Sequence, residues 1–190
     1  NTAHELGHKN NPLERFYGKT LPMTVCYMHS YIEHNRGHHV HVATREDPAT
    51  ALKGENFYRF WKKSVFDGYA HAWKIERESL SRTSKSVWAL NNQMVVFTIL
   101  PVMFCALLFL GFSYWHQRWV WEVPLFFFAQ SLIALTLLEL VNYVEHYGIL
   151  RRELSPGKYE RVNPLHSWNA SHLISNFFLF QLQRHSDHHA

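Results

Sequence analysis

The chain has 190 residues, 47% hydrophobic and 16% aromatic, enough for one domain with a sizeable core over residues 1–190. Its formal charge of +4 is too modest to imply nucleic acid as a partner. Two cysteines, Cys26 and Cys105, supply no disulfide framework and suit a reducing compartment. The anomaly is fifteen histidines, most of them gathered into four short stretches. No signal peptide is visible, and the chain opens and closes on such stretches, which reads as an internal fragment of a longer protein.

In the first stretch, His4 and His8 are four residues apart and share one face of a helix. His4-Glu5-Leu6-Gly7-His8 also fits the zinc-protease pattern of two histidine ligands and a glutamate base, and taken alone the stretch leaves both readings open. Asn10-Asn11-Pro12 breaks that helix, and residues 13–31 read as a second one. It delivers His34-Asn35-Arg36-Gly37-His38-His39, with His41 just beyond. Residues 44–55 are polar, carry Pro48 and read as a loop. Residues 56–85 mix aromatics with Lys62, Lys63, Lys74, Arg77, Arg82 and Lys85, the pattern of an amphipathic helix at a membrane surface. His71 within it reads as an ordinary interfacial histidine.

Residues 94–115 are almost wholly apolar and long enough to cross a bilayer, and a second apolar run covers 119–143. Trp115, Trp119 and Trp121 cluster at the turn between them, beside the interfacial His116, as an aromatic belt would. Pro101 and Pro124 are tolerated in spanning helices. The expected fold class is therefore all-α: an integral membrane helical protein with two transmembrane helices, its histidines carried by helices at the membrane face. Lys74, Arg77, Arg82 and Lys85 precede this hairpin, Arg151, Arg152, Lys158 and Arg161 follow it, and only Arg118 lies at the tip. The positive-inside rule then puts both outer ends, and with them all four histidine stretches, on the cytoplasmic side.

Near the end of the second span, Glu139, Asn142 and His146 run i, i+3, i+7 along one face. A carboxylate that deep is costly against lipid, so Glu139 is expected to face the metal site. Residues 151–165 read as a basic loop turning at Pro156-Gly157, and 169–183 as an aromatic-rich helix. Asn169-Ala170-Ser171 matches a glycosylation acceptor but falls on the wrong side of the membrane. The last stretch places His185, His188 and His189 on one helical face, with Asp187 among them.

His4, His8, His34, His38, His39, His146, His185, His188 and His189 exceed the four ligands of a structural zinc, which suggests two metals. Cysteine is absent from all four stretches, against an iron–sulfur or zinc-thiolate site. Imidazoles alone suit oxygen chemistry at iron, while the spacing leaves copper and zinc open. Glu5, Glu145 and Asp187 are natural partners for ligand N–H groups, and Glu139 and Asn142 are expected beside them.

His4-Glu5-Leu6-Gly7-His8-Lys9, Glu33-His34-Asn35-Arg36-Gly37-His38-His39, Asn142-Tyr143-Val144-Glu145-His146-Tyr147-Gly148 and Leu182-Gln183-Arg184-His185-Ser186-Asp187-His188-His189-Ala190 resemble the four histidine boxes of the bacterial alkane 1-monooxygenase family. The last two are the specific ones. The resemblance implies a multi-pass enzyme of the bacterial inner membrane with six membrane helices, of which this chain holds the last two and the end of the fourth. It implies two non-haem iron ions, no haem, and an active site toward the cytoplasm. The activity implied is insertion of one oxygen atom from O2 into the terminal C–H bond of a medium- or long-chain n-alkane arriving from membrane lipid. Electrons would come from rubredoxin and rubredoxin reductase, with NADH involved only through the reductase. The nine box histidines become the catalytic iron ligands, leaving His29, His41, His71, His116, His166 and His172 outside the set. Arg151, Arg152, Lys158 and Arg161 form an expected docking surface for the acidic electron carrier. A fatty-acid desaturase or xylene hydroxylase is the alternative within this class. An intramembrane zinc protease would leave most of these histidines unused, and a metal transporter would need more polar residues in the spans than Glu139.

Overall fold

Two long antiparallel helices frame the structure, a computed structural model that describes residues 2–169. The expected helix over 169–183, the last box with His185, Asp187, His188 and His189, and the side chain of His4 lie outside the described residues. Helix α7 (Gln93–His116) starts where the Asn92 side chain accepts from Met94 N–H, and ends where Gln117 turns left-handed at φ 52°. Helix α8 (Glu122–His146) follows after a short turn. At 24 and 25 residues each is roughly 36 Å long, enough to cross a bilayer. Their outward faces carry Leu107, Leu110, Leu125, Phe126, Leu132 and Leu137, and most of each apolar stretch is unburied. The second helix starts at Glu122, three residues later than its apolar run. Residues 117–121 are consumed by the turn, where Val120 N–H donates to Ser113 Oγ and Trp119 stacks on Phe109. It also runs on to His146, which places the third histidine stretch on its last turn.

The N-terminal part departs from the expected single helix over 13–31. Helix α1 (Thr2–Gly7) crosses α2 (Pro12–Thr20), which is capped by the Asn11 side chain. Pro22 then removes a backbone donor, and the chain tightens into a 3₁₀ segment, Leu21–Val25, ending at left-handed Cys26. Helix α3 (Ser30–Glu33) resumes and widens into a π-helix, His34–His38, before the short α4 (His39–His41). The amphipathic stretch is helical as expected: α5 (Phe57–Lys62), a π-helical turn at Lys63–Asp67, and α6 (Gly68–Ser81). Met28, Ile32, Ala72, Met94 and Phe97 form a buried cluster that ties α3 and α6 to the start of α7.

The basic segment after α8 is not a plain loop, and the fold is not purely α. Strands β1 (Glu153–Ser155) and β2 (Lys158–Tyr159) pair antiparallel around Pro156-Gly157, with Gly157 at φ 73°. The segment leading into this hairpin is pinned to the loop after α4: Gly148 N–H donates to Ala51 O (2.8 Å) and Arg151 N–H to Ala43 O (2.7 Å). Trp168 N–H then returns to Glu145 O (2.8 Å), so the chain leaves residue 169 beside the end of α8.

The crossing of α1 and α2 depends on a glycine. A Cβ at Gly18 would stand 2.7 Å from Gly7 N and 2.9 Å from Gly7 Cα, closer than backbone atoms can yield without moving α1. Gly18→Ala in the full-length protein should therefore cost about 1–3 kcal/mol, as overpacking does, and should displace His8. A lowered melting temperature together with reduced bound metal is the expected result. Unchanged values for both would show that this contact does not hold α1.

Candidate metal centre

The second histidine stretch owes its geometry to the π-helical turn. In a regular α-helix neighbours on a face are three and four residues apart, so His34 and His39 would diverge. Here His39 N–H reaches back five residues to His34 O, and the two side chains meet with Nε2 atoms 3.0 Å apart. His8 approaches from α1, its ring 5.2 Å from that of His34 and 4.8 Å from that of His39. One ligand nitrogen from each of the three lies within 4.8 Å of the other two, a spacing that fits a shared metal ion.

His38 points the other way, to the end of α8, where its ring lies 4.7 Å from that of fully buried His146. It also stacks 5.3 Å from His34, so five imidazoles from three separate stretches form one continuous cluster. His38 is fixed from behind by Asp47: Nδ1 to Oδ2 is 2.9 Å, with both groups buried. Thr50 Oγ1 donates to the same oxygen and Ala49 N–H to the other. Burial alone would disfavour charge on His38, but the Asp47 charge and hydrogen bond, with Glu33 and Glu139 beyond, hold its pKa above the ordinary value. Burial likewise opposes ionisation of Asp47, yet His38, Thr50 and Ala49 together hold that carboxyl below its usual range. A carboxylate on the far nitrogen of an imidazole fixes its orientation and leaves the other nitrogen for a metal. Nothing in sequence marked Asp47: an Asp-Pro step in a polar segment reads as a turn.

Glu139 is buried and lines the same cavity, as expected of a group facing an interior. Its hydrogen bonds are to other residues than an imidazole: Tyr27 Oη donates to Oε1 (2.7 Å) and Asn142 Nδ2 to Oε2 (3.2 Å). Tyr27, 112 residues away, was invisible in sequence, and burial beside this carboxylate raises its phenol pKa well above normal. Glu145 is buried along the same wall, and its carbonyl anchors Ser167 and Trp168. His29, outside the expected ligand set, packs edge-on between Tyr27 and Tyr69, and burial lowers its pKa to about 4.

Two assignments change. His71 is not a plain interfacial histidine: its Nδ1 lies 3.4 Å from Glu33 Oε1, and a Cβ on Gly37 would meet its ring at 2.9 Å. It buttresses the π-helical turn. Arg151 is not a free docking cation: its guanidinium donates to Val40 O (2.8 Å), directly after His39, and lies over the Tyr159 ring. Arg152, Lys158 and Arg161 remain exposed on the hairpin side. His41 pairs with Glu46 (3.5 Å), His166 caps its own turn through Asn163, and His116 sits at the far end of α7.

A cavity of about 580 Å³ adjoins the cluster. His34, His38 and Glu33 line one part, and Leu135, Leu138 and Val25 another. All-imidazole donors around an apolar chamber fit a first-row metal such as iron better than calcium or magnesium, which take oxygen ligands.

A model of the fatty acid desaturase family matches residues 1–190. The chain is 44% identical over 188 residues to alkane 1-monooxygenase 2 of Pseudomonas aeruginosa, which is 99% of this chain and 48% of that protein. It is 44% identical over 191 residues to alkane 1-monooxygenase 1 of Alcanivorax borkumensis, covering 100% and 45% respectively. The hydroxylase component of xylene/toluene monooxygenase from Pseudomonas putida is 28% identical over 188 residues, 98% of this chain and 47% of that protein. The chain thus spans about half the length of the curated relatives it matches.

Asp47→Asn keeps the side-chain shape and removes the charge behind His38. Metal affinity of the full-length protein should fall about 10–100-fold, the usual cost of losing such a partner, with helical content unchanged. Chelator competition on the metal-depleted protein, with circular dichroism alongside, measures both. Unaltered affinity would remove His38 from the metal site.

Proposed function

Since this chain belongs to the fatty acid desaturase family, we propose that it carries the metal centre of an alkane 1-monooxygenase, hydroxylating the terminal carbon of medium- or long-chain n-alkanes. The observation that carries this reading is the five-imidazole cluster at the end of a membrane-length helix, opening on an apolar cavity. Among the relatives, alkane 1-monooxygenases at 44% identity favour it over a xylene hydroxylase at 28%.

His8, His34 and His39 would hold one iron, and His38 and His146 the other. His4, His185, His188 and His189 complete the nine ligands in this reading. Bound there, the iron pair supplies O2 activation, so that RH + O2 + 2 e⁻ + 2 H⁺ gives ROH + H2O. The chain's own residues supply the rest. Asp47 orients His38, Glu33 and His71 support the π-helical turn, and Leu135, Leu138 and Val25 present an apolar wall to a substrate that offers only shape. Tyr27 and Asn142 occupy both oxygens of Glu139, which keeps this carboxylate away from the hydrocarbon.

The membrane in this reading is the bacterial inner membrane, with residues 1–190 a single catalytic domain and the metal centre toward the cytoplasm. Rubredoxin, reduced by NADH through its reductase, is the electron donor, and the exposed Arg152, Lys158 and Arg161 are the cations offered to its acidic surface.

Product analysis tests the reading. The full-length protein, given rubredoxin, its reductase, NADH and O2, should convert octane or hexadecane to the primary alcohol and leave an acyl chain without a new double bond. Desaturation of the acyl chain with no alkanol formed would reverse the assignment.

A further inference from the structure

We propose that residues 12–26 form a re-entrant element. It dips from the membrane face to about the middle of the bilayer beside α7 and α8, and turns Leu13, Phe16, Tyr17 and Leu21 toward lipid acyl chains. The inference rests on the reading that α7 and α8 span the membrane.

Depth follows from two contacts. The carbonyl of Thr24 accepts from Gln130 Nε2 at 2.6 Å. Gln130 is eight residues into α8 from Glu122, roughly 12 Å along the helix. Phe104 against Phe127 sets the register of the hairpin and levels Gln130 with Pro101. Pro101 is eight residues, again roughly 12 Å, inside Gln93 at the other end. Measured from either end, Thr24 lies near the middle of a hydrocarbon layer about 30 Å thick. Lys19 snorkels back to the membrane face, its Nζ reaching Gln93 Oε1 (3.2 Å) at the first residue of α7.

Irregular backbone survives at such depth only where protein groups satisfy it. Residues 20–27 meet that demand with local bonds. Thr20 Oγ1 donates to Phe16 O and Thr24 Oγ1 to Leu21 O, each at 2.9 Å. Cys26 N–H returns to Met23 O and Tyr27 N–H to Pro22 O, while proline carries no donor to satisfy. Gln130, an amide directly after the apolar run 123–129 of α8, supplies the donor for Thr24 O. The tip, Leu21-Pro22-Met23-Thr24-Val25-Cys26, carries no charge.

The outer face of the element is a continuous apolar stripe. Leu13, Phe16, Tyr17 and Leu21 are 60%, 58%, 48% and 41% exposed and fall on one helical side. The 3₁₀ segment that begins at Leu21 packs against α8, whose Leu132 and Leu137 are exposed, so the same acyl chains that cover α8 would cover the stripe. Leu21 and Leu137 also line the cavity, one from each side. The mouth between them then opens within the hydrocarbon layer, and a long-chain hydrocarbon reaches the imidazole cluster without crossing water.

Nitroxide accessibility decides the matter. Phe16→Cys and Leu21→Cys are made separately in the full-length protein on a background free of other reactive cysteines. Each is spin-labelled in lipid nanodiscs and power-saturated with O2 and with a water-soluble nickel chelate. Labels at Leu132→Cys in α8 and Lys85→Cys in the loop before α7 provide the lipid and water references. Both test labels should group with Leu132, relaxed strongly by O2 and weakly by nickel. Grouping with Lys85, or protection from both reagents by a protein cover, overturns the proposal. A water-like response at Leu132 itself overturns the membrane reading along with it.

Discussion

One widened helical turn decides where the described imidazoles point. His34 to His38 close a ring of five residues instead of four, which swings His34 and His39 together toward His8 and leaves His38 directed at Asp47 and His146. A π-helical turn gives up backbone regularity and persists where something outside holds it. Here the supports are visible. His71 lies against Gly37, where a side chain would not fit, and Glu33 meets His71 at the turn's leading edge. Arg151 accepts the same task from the far side by capping Val40 O. The cluster is thus held by Glu33, Asp47, His71 and Arg151, all outside the expected ligand set.

The frame on which this is built is set by solvent rather than by shape. Two helices with apolar outward faces fix the level of everything attached to them, and three polar side chains of α8 are matched by partners from the N-terminal half. Glu139 meets Tyr27, Gln130 meets Thr24 O, and Tyr143 meets Glu55 O. An unmatched carboxylate in a span costs about 2.5–3.5 kcal/mol even on lenient scales. The pairings therefore favour one way of docking residues 12–60 on α8, and that docking brings the second histidine stretch to the end of the third.

Composition made the two membrane-length helices and the histidine stretches legible in sequence, because long apolar runs and clustered imidazoles are rare for other reasons. Partners distant in the chain were not legible. Tyr27 and Glu139 are separated by 112 residues, and Asp47 looks like any turn-forming acid until the fold places it behind His38. Spacing misled at residues 13–31, where helical propensity gave way to Pro22 and a left-handed Cys26. Charge misled at Arg151, which was expected on a docking surface while its guanidinium bonds the backbone beside the site. The β-hairpin was half-visible: Pro156-Gly157 announced the turn, but three- and two-residue strands are too short to show a period.

Iron-edge X-ray absorption on the purified full-length protein, with the iron-to-protein ratio determined on the same sample, tests the dinuclear all-imidazole centre most directly. The account predicts about two irons per chain, a nitrogen-dominated shell with the outer scattering typical of imidazole, and no sulfur. One metal per chain, or sulfur in that shell, would contradict it.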